Sequence, residues 1–171
     1  MADITFSIDK IRDDARILEM VRLQHAELTR RGMPNNNMLK DPSIYQYASL
    51  DVNGEPLTAL MFAPIPRDEN PVVYITGSYT RPSWRRLGLY SALVRLCVNE
   101  WRLEDQYDWL LSGYHRKNWI SEAMQAKHHR EAYESTETHV RTRLSLRPQG
   151  DEFQVSPESL RPILEMVERL S

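Results

Sequence analysis

Apolar and polar residues alternate over Ile4-Thr5-Phe6-Ser7-Ile8, which predicts a first strand. From about Asp13 to Arg30 the period lengthens. Ile17, Leu18, Val21 and Leu28 recur at helical spacing, and Asp13 and Asp14 suit the positive end of a helix dipole. Gly32-Met33-Pro34-Asn35-Asn36-Asn37 then breaks the helix. Two strands follow, at about 44–52 and 57–63, joined by Asn53-Gly54, a pair that tolerates the left-handed backbone of a tight hairpin. Pro64, Pro66 and Pro71 end the third strand, and the β-branched and aromatic Val72-Val73-Tyr74-Ile75-Thr76 predicts a fourth. Leu89, Leu93, Leu96 and Cys97 mark a helix from about Leu89 to Leu103, and Trp109 to Tyr114 reads as a fifth strand. A helix opened by Asn118 comes next, then a sixth strand from Thr136 to Leu146 with alternating Val140, Thr142 and Leu144. Pro148-Gln149-Gly150-Asp151 is a turn, and Glu152-Phe153-Gln154-Val155 a short seventh strand. Ser156 can cap a last helix with Pro157 in its first turn, and Leu160, Ile163, Leu164, Val167 and Leu170 form one apolar stripe on it. That stripe needs cover, either from its own sheet or from a second subunit in a homodimer.

The 171 residues, 41% hydrophobic and 27% charged, predict one globular domain spanning 1–171. No run of eighteen apolar residues occurs, and Met1-Ala2-Asp3-Ile4 lacks the basic and apolar regions of a secretory signal, so a cytoplasmic protein without membrane association is expected. The single cysteine, Cys97, excludes an internal disulfide framework and falls on the apolar helix face, where it reads as a packed thiol rather than a nucleophile. A net charge of −2 gives no global drive toward nucleic acid or an anionic membrane. The distribution is uneven: residues 81–147 carry twelve Lys/Arg against eight Asp/Glu, whereas residues 1–80 carry eight against eleven. His128-His129, Glu131 and His139 complete no metal-ligand spacing, and no metal site is expected.

The junction from the fourth strand to the helix carries the most chemistry. Thr80-Arg81-Pro82-Ser83-Trp84-Arg85-Arg86-Leu87-Gly88-Leu89-Tyr90-Ser91 joins strand to helix through an arginine-rich turn closed by glycine. Amides at a helix start have no intrahelical acceptor and sit at the positive end of the dipole, so such a turn can hold a pyrophosphate. Gly88 lets a ligand approach closely, and Arg85 and Arg86 add charge. Neither Gly-x-Gly-x-x-Gly nor a Walker lysine follows the strand, which disfavours a nucleotide-binding loop of those kinds.

This segment resembles motif A of the GNAT superfamily of N-acetyltransferases, a strand followed by Val-x-Pro and then Arg/Gln-x-x-Gly-x-Gly/Ala opening a long helix. Thr80 and Pro82 stand at the Val and Pro places, Arg85 at Arg/Gln and Gly88 at the first Gly, while Tyr90 departs from the usual Gly or Ala. About thirty residues on, Asn118-Trp119-Ile120-Ser121-Glu122-Ala123-Met124-Gln125-Ala126-Lys127 resembles the family's Asn-x-x-Ser/Ala-x-x-Met/Phe-Tyr-x-Lys helix. The resemblance covers roughly residues 72–130. It implies an α/β (α+β) fold: a mixed, mostly antiparallel sheet of six to seven strands flanked by helices, with the C-terminal helix as an addition.

The resemblance also implies direct acyl transfer from acetyl-CoA, as co-substrate, to an amine acceptor. The splayed fourth and fifth strands would bind the pantetheine arm through backbone groups of Ser78 and Thr80. The amides and charges of Arg85, Arg86, Leu87, Gly88, Leu89, Tyr90 and Ser91 would hold the pyrophosphate. Asn118 and Ser121 would contact the arm or an ordered water, and Asn118 also suits a helix cap. The family's acidic tyrosine falls at Gln125, which cannot supply a proton, so Tyr114 and Tyr133 are the candidate acids, with His115 near in sequence and Asn118 as a further catalytic candidate. The motif strand carries no glutamate to act as base, a need that a water chain, Glu122 or a substrate amine of depressed pKa could remove. A CoA-type anion accounts for the basic excess of residues 81–147. Two alternatives stay open: a regulatory module that binds CoA without catalysis, suggested by Gln125, and a transferase acting on a nucleobase or nucleic acid, permitted by Trp84 and Trp119. Acceptor choice would rest on the loop around residues 31–43 and the turn near 146–152.

Overall fold

The computed structural model describes residues 3–33, 37–65, 71–118 and 131–147, together with residues 123, 161, 165 and 169 singly. A seven-stranded sheet runs through it: β1 (Ile4–Lys10), β2 (Gln46–Val52), β3 (Glu55–Ile65), β4 (Val72–Thr80), β5 (Trp109–His115), β6 (Glu131–Ser135) and β7 (His139–Ser145). The spatial order is β1-β2-β3-β4-β5-β7-β6. Every neighbouring pair is antiparallel except β4 and β5, which run parallel. The helices are α1 (Ala15–Arg30), the single turn α2 (Asn37–Lys40) and α3 (Leu89–Glu104).

The strands of the first half form where their patterns predict, except that Pro64 does not end the third strand: β3 runs through it to Ile65, with Pro64 opposite Val73 in the ladder. Asn53 and Gly54 have φ of 50° and 81°, the doubly left-handed turn that matches the twist of a two-residue hairpin. β2 and β3 are covered on both faces. Ala48, Leu50, Leu60 and Phe62 pack with Val73 and Ile75 against Leu93, Val94, Cys97 and Trp101 of α3. On the opposite face Tyr47, Ala59, Met61 and Tyr79 pack against Ile17, Met20 and Val21 of α1. Phe62 and Trp101 meet edge to face with centroids 5.1 Å apart. Cys97 is fully buried, and burial pushes its thiol pKa far above the usual range.

Asp14 caps α1: its Oδ1 accepts from the Arg16 amide at 3.0 Å, and its Oδ2 accepts from the Tyr47 hydroxyl at 3.0 Å, which ties the helix start to β2. Burial alone would raise the Asp14 pKa, but the bonds from Arg16 and Tyr47 outweigh it and hold the carboxyl below the usual range.

β4 continues past the β-branched and aromatic Val72–Thr76 as far as Thr80. Its ladder with β3 shifts between Met61 and Phe62 and then continues to Thr58↔Thr80, where the two threonine hydroxyls lie 2.8 Å apart. The second half departs further from expectation. The strand expected over 136–146 forms as β7, and Glu131–Ser135, not expected as a strand, pairs with it as β6 in a hairpin, the Thr136 amide donating to the His139 carbonyl at 2.8 Å across its turn. The expected strand at 152–155 lies outside the described residues. So does nearly all of the helix expected after Asn118, of which only Ala123 is described, as helical. Of the expected C-terminal helix, Arg161, Glu165 and Arg169 are described, each helical and exposed, and its apolar stripe lies outside the described residues.

Candidate functional site

β4 and β5 pair over three residues only, Val72–Tyr74 with Trp109–Leu111, and then part. Ile75–Thr80 continues along β3, while Ser112–His115 continues along β7, so the sheet forks in its middle. A parallel pair that stops pairing leaves facing strand edges whose peptide groups can bond an extended ligand.

The β4 arm of the fork leads directly into the motif turn. Pro82–Trp84 forms one 3₁₀ turn, Arg85 is extended, and α3 begins at Leu89. Arg86 (φ 64°) and Gly88 (φ 81°) are both left-handed, the second as the N-cap of α3 without a side chain to cap it. A Cβ added at Gly88 would meet no atom within 4 Å, so glycine is required there for its backbone and the space beside it is open. Leu89 is buried with Val52 and Leu57, and Trp84 and Leu87 pack on that cluster, anchoring the turn through apolar side chains. Arg86 and Gly88 are exposed. The first intrahelical bond runs from the Ala92 amide to the Gly88 carbonyl at 3.0 Å. The amides before Ala92 are those that an α-helix cannot satisfy from within.

The two arginines of the turn are not equivalent. Arg85 forks onto Glu27 of α1, Nη1 to Oε1 at 3.0 Å and Nη2 to Oε2 at 2.8 Å, while its Nε donates to the Thr80 carbonyl at 2.8 Å. Its guanidinium carbon lies 5.3 Å from the centre of the Tyr79 ring. The hydrogen bond with Arg85 is the main cause that holds the Glu27 pKa down, and the same bond raises that of Arg85. One helical turn earlier, Gln24 Nε2 donates to the Ser78 carbonyl at 2.8 Å, and its carboxamide lies over Gly77. The Ser78 and Thr80 carbonyls, two of the backbone groups expected to serve the pantetheine arm, thus already accept one side-chain bond each, and a carbonyl oxygen has a second lone pair to offer.

Of the expected site residues, Ser78, Thr80 and the run from Arg85 to Ser91 are brought together by β4 and the start of α3. Tyr114 lies on β5 three residues beyond the last β4–β5 pair, half-buried. Asn118 is also half-buried, and its amide donates to the His115 carbonyl at 2.7 Å just past the end of β5. Tyr133 sits apart from these: it is on β6, with β7 between it and β5, which puts two strand spacings, about 10 Å, between its backbone and the fork. Arg143 lies over its ring at 5.7 Å and over Trp109 at 4.8 Å. Ser121, Glu122 and Gln125 lie outside the described residues.

Three residues at the site escaped the motif reading. Tyr74 is the last β4 residue to pair with β5, and its hydroxyl reaches within 3.9 Å of where a Gly113 Cβ would stand, across the mouth of the fork. Gln24 and Glu27 reach the β4 arm from α1. Their signal is a gap in the apolar stripe: Ile17, Met20 and Val21 are buried, and the next inward position is a half-buried glutamine. Among the described residues no group of His, Cys, Asp and Glu is arranged to hold a metal ion, and no helix is long and apolar enough to cross a membrane.

Residues 9–108, more than half of the chain, match the sequence model of the family described as "Acetyltransferase (GNAT) family". Among the curated proteins none matches in sequence. Solved structures share the fold. The IAA acetyltransferase from Bacillus cereus superposes with a TM-score of 0.64 at 9% identity, covering 84% of this chain and 99% of that one. The ribosomal-protein-S18-alanine N-acetyltransferase from Escherichia coli gives 0.57 at 13%, covering 86% and 97%. A chain of the NatC complex bound to Gag peptide and CoA gives 0.60 at 14%, covering 84% and 98%.

Proposed function

The chain belongs to the GNAT acetyltransferase family, and from that premise we propose that it transfers an acetyl group from acetyl-CoA to a primary amine by direct attack. The observation that carries this reading is the fork: strands that part after three paired residues, with one arm running into a left-handed, glycine-closed helix start. In this reading the pantetheine arm lies along the edge of β4 beyond its last pair with β5 and bonds backbone groups of Ser78 and Thr80. The pyrophosphate rests on the amides from Arg86 to Ser91, with the exposed Arg86 adding charge. The residues fit that load, since the space beside Gly88 is open.

The chemistry asks little more than positioning. A neutral amine attacks the thioester carbonyl, the tetrahedral adduct collapses, the C–S bond breaks, and the nitrogen loses a proton while the thiolate gains one. Tyr114, on the β5 arm within the fork, is the proposed proton donor to the thiolate, and Tyr133 is the less favourably placed of the two tyrosines. Asn118, just past the end of β5, is the proposed partner of the arm or of an ordered water. The acceptor enters this reading only as an amine.

Calorimetric titration with acetyl-CoA tests it. The wild type is expected to bind in the range of about 1–100 μM, and Arg86→Glu, which keeps a non-glycine residue at that backbone position, to bind at least about tenfold more weakly. Release of free thiol with a panel of amines then reads turnover. A folded wild type that takes up no acetyl-CoA would overturn the proposal.

A further inference from the structure

Gln24 and Glu27 stand three residues apart on α1, hence on one face of it, and both reach the end of β4. Gln24 takes the Ser78 carbonyl directly, and Glu27 takes the Thr80 carbonyl through Arg85, whose Nε is held there while its two Nη atoms fork onto the carboxylate. Arg85 is the first residue of the turn that reverses into α3, and its planar guanidinium is fixed on one side by Glu27 and on another by the Tyr79 ring. A planar group held at both ends cannot swing toward a ligand. Its charge also already faces a carboxylate.

We infer that Glu27 is a positioning residue for acyl-CoA: acting through Arg85, it holds the β4–α3 turn in the shape that receives the pyrophosphate, and leaves the phosphate charge to Arg86. The inference rests on the acetyl-CoA reading above and adds a residue from the opposite layer of the fold. It makes a prediction whose sign separates shape from charge. A carboxylate near a polyanion's seat is unfavourable by Coulomb's law, so if Glu27 acted by its charge, removing that charge would tighten CoA binding. If it acts by holding the turn, removing it weakens binding, because the ligand must then order the turn itself.

The test titrates CoA into wild type, Glu27→Gln, Glu27→Asp, Arg85→Gln and the double variant Glu27→Gln/Arg85→Gln at one ionic strength, with thermal melts alongside. Glu27→Gln is expected to weaken CoA binding about tenfold and to raise the KM for acetyl-CoA with kcat changed by less than about twofold. Glu27→Asp keeps the charge and shortens the reach, and is expected to weaken binding in the same direction. The double variant is expected to bind no more weakly than Arg85→Gln alone, because Glu27 acts only through that arginine. Equal or tighter binding by Glu27→Gln, or full additivity in the double variant, overturns the inference. If Glu27→Gln does not fold, Glu27→Asp decides: binding equal to wild type overturns the inference. Failure of the wild type to bind CoA would remove the acetyl-CoA reading itself, whereas wild-type binding with indifferent variants removes this inference alone.

Discussion

Two arms of one sheet meet at Tyr74 and Leu111, and they are built on opposite plans. In the first, β2 is buried from Tyr47 to Val52 and β3 from Pro56 to Phe62, with α1 on one face and α3 on the other. In the second, β6 is exposed at each of its five positions and, among the described strands, pairs only with β7. The contrast shows where the stability of the sheet resides. The first arm contributes a packed core and the turn at Gly88. The second contributes a ladder whose buried hydroxyls, Ser112 Oγ and Thr142 Oγ1, sit 3.1 Å apart, and whose outer strand is joined by Glu134–Arg141 and Glu131–Arg143 ion pairs at the surface. Exposed pairs of that kind are worth little individually.

If the first arm is the stabilising one, the sharpest blow to the fold comes from within it. Leu93 is fully buried between α3 and the sheet, and Leu93→Ala is expected to cost about 3–5 kcal/mol in urea unfolding. A cost below about 1 kcal/mol would break the comparison. A finer probe lies at the fork. A Cβ on Gly77 would stand 2.6 Å from Gln24 Nε2, so Gly77→Ala must displace that flexible side chain and its bond to Ser78. The expected cost is about 1 kcal/mol, and Gly77→Ala combined with Gln24→Ala should be no less stable than Gln24→Ala alone. Additive costs would show that the alanine disturbs the strand itself. The smallest effect belongs to the outer edge of the second arm: Tyr133→Ala is expected to change the melting free energy by less than about 0.5 kcal/mol, since the residue is 39% exposed and its Arg143 contact is long. A large loss there would mean that the second arm is bound into the cooperative unit more tightly than its exposure indicates.

The same contrast decides what the amino-acid sequence could reveal. Asn53-Gly54, the stripe on α3 and the β-branched start of β4 encode their structure locally, and each element forms there within a few residues. Beyond Thr76, Gly77 and Ser78 lack the β-branched or aromatic side chains that strands favour. They become strand because β3 offers a ladder as far as Thr58 and because Gln24 covers the glycine. Glu131-Ala132-Tyr133-Glu134-Ser135 has no apolar alternation at all, and it is a strand only because β7 presents an edge to it. The turn from Arg85 to Ser91 was legible because its left-handed step into α3 needs a glycine at a fixed place. The clamp on Arg85 was not, because Glu27 is 58 residues away and a lone glutamate at the margin of a helix stripe looks like any solvated charge.

Cys97 carries a consequence of a different kind. The chain's one thiol lies wholly inside the α3 layer, and burial disfavours the thiolate form that alkylating reagents require. While the fold is closed the sulfur is neither reachable nor ionised. Its labelling can therefore proceed only as fast as α3 lifts from the sheet, and the protein carries, at a single native atom, a clock for the opening of its own interior.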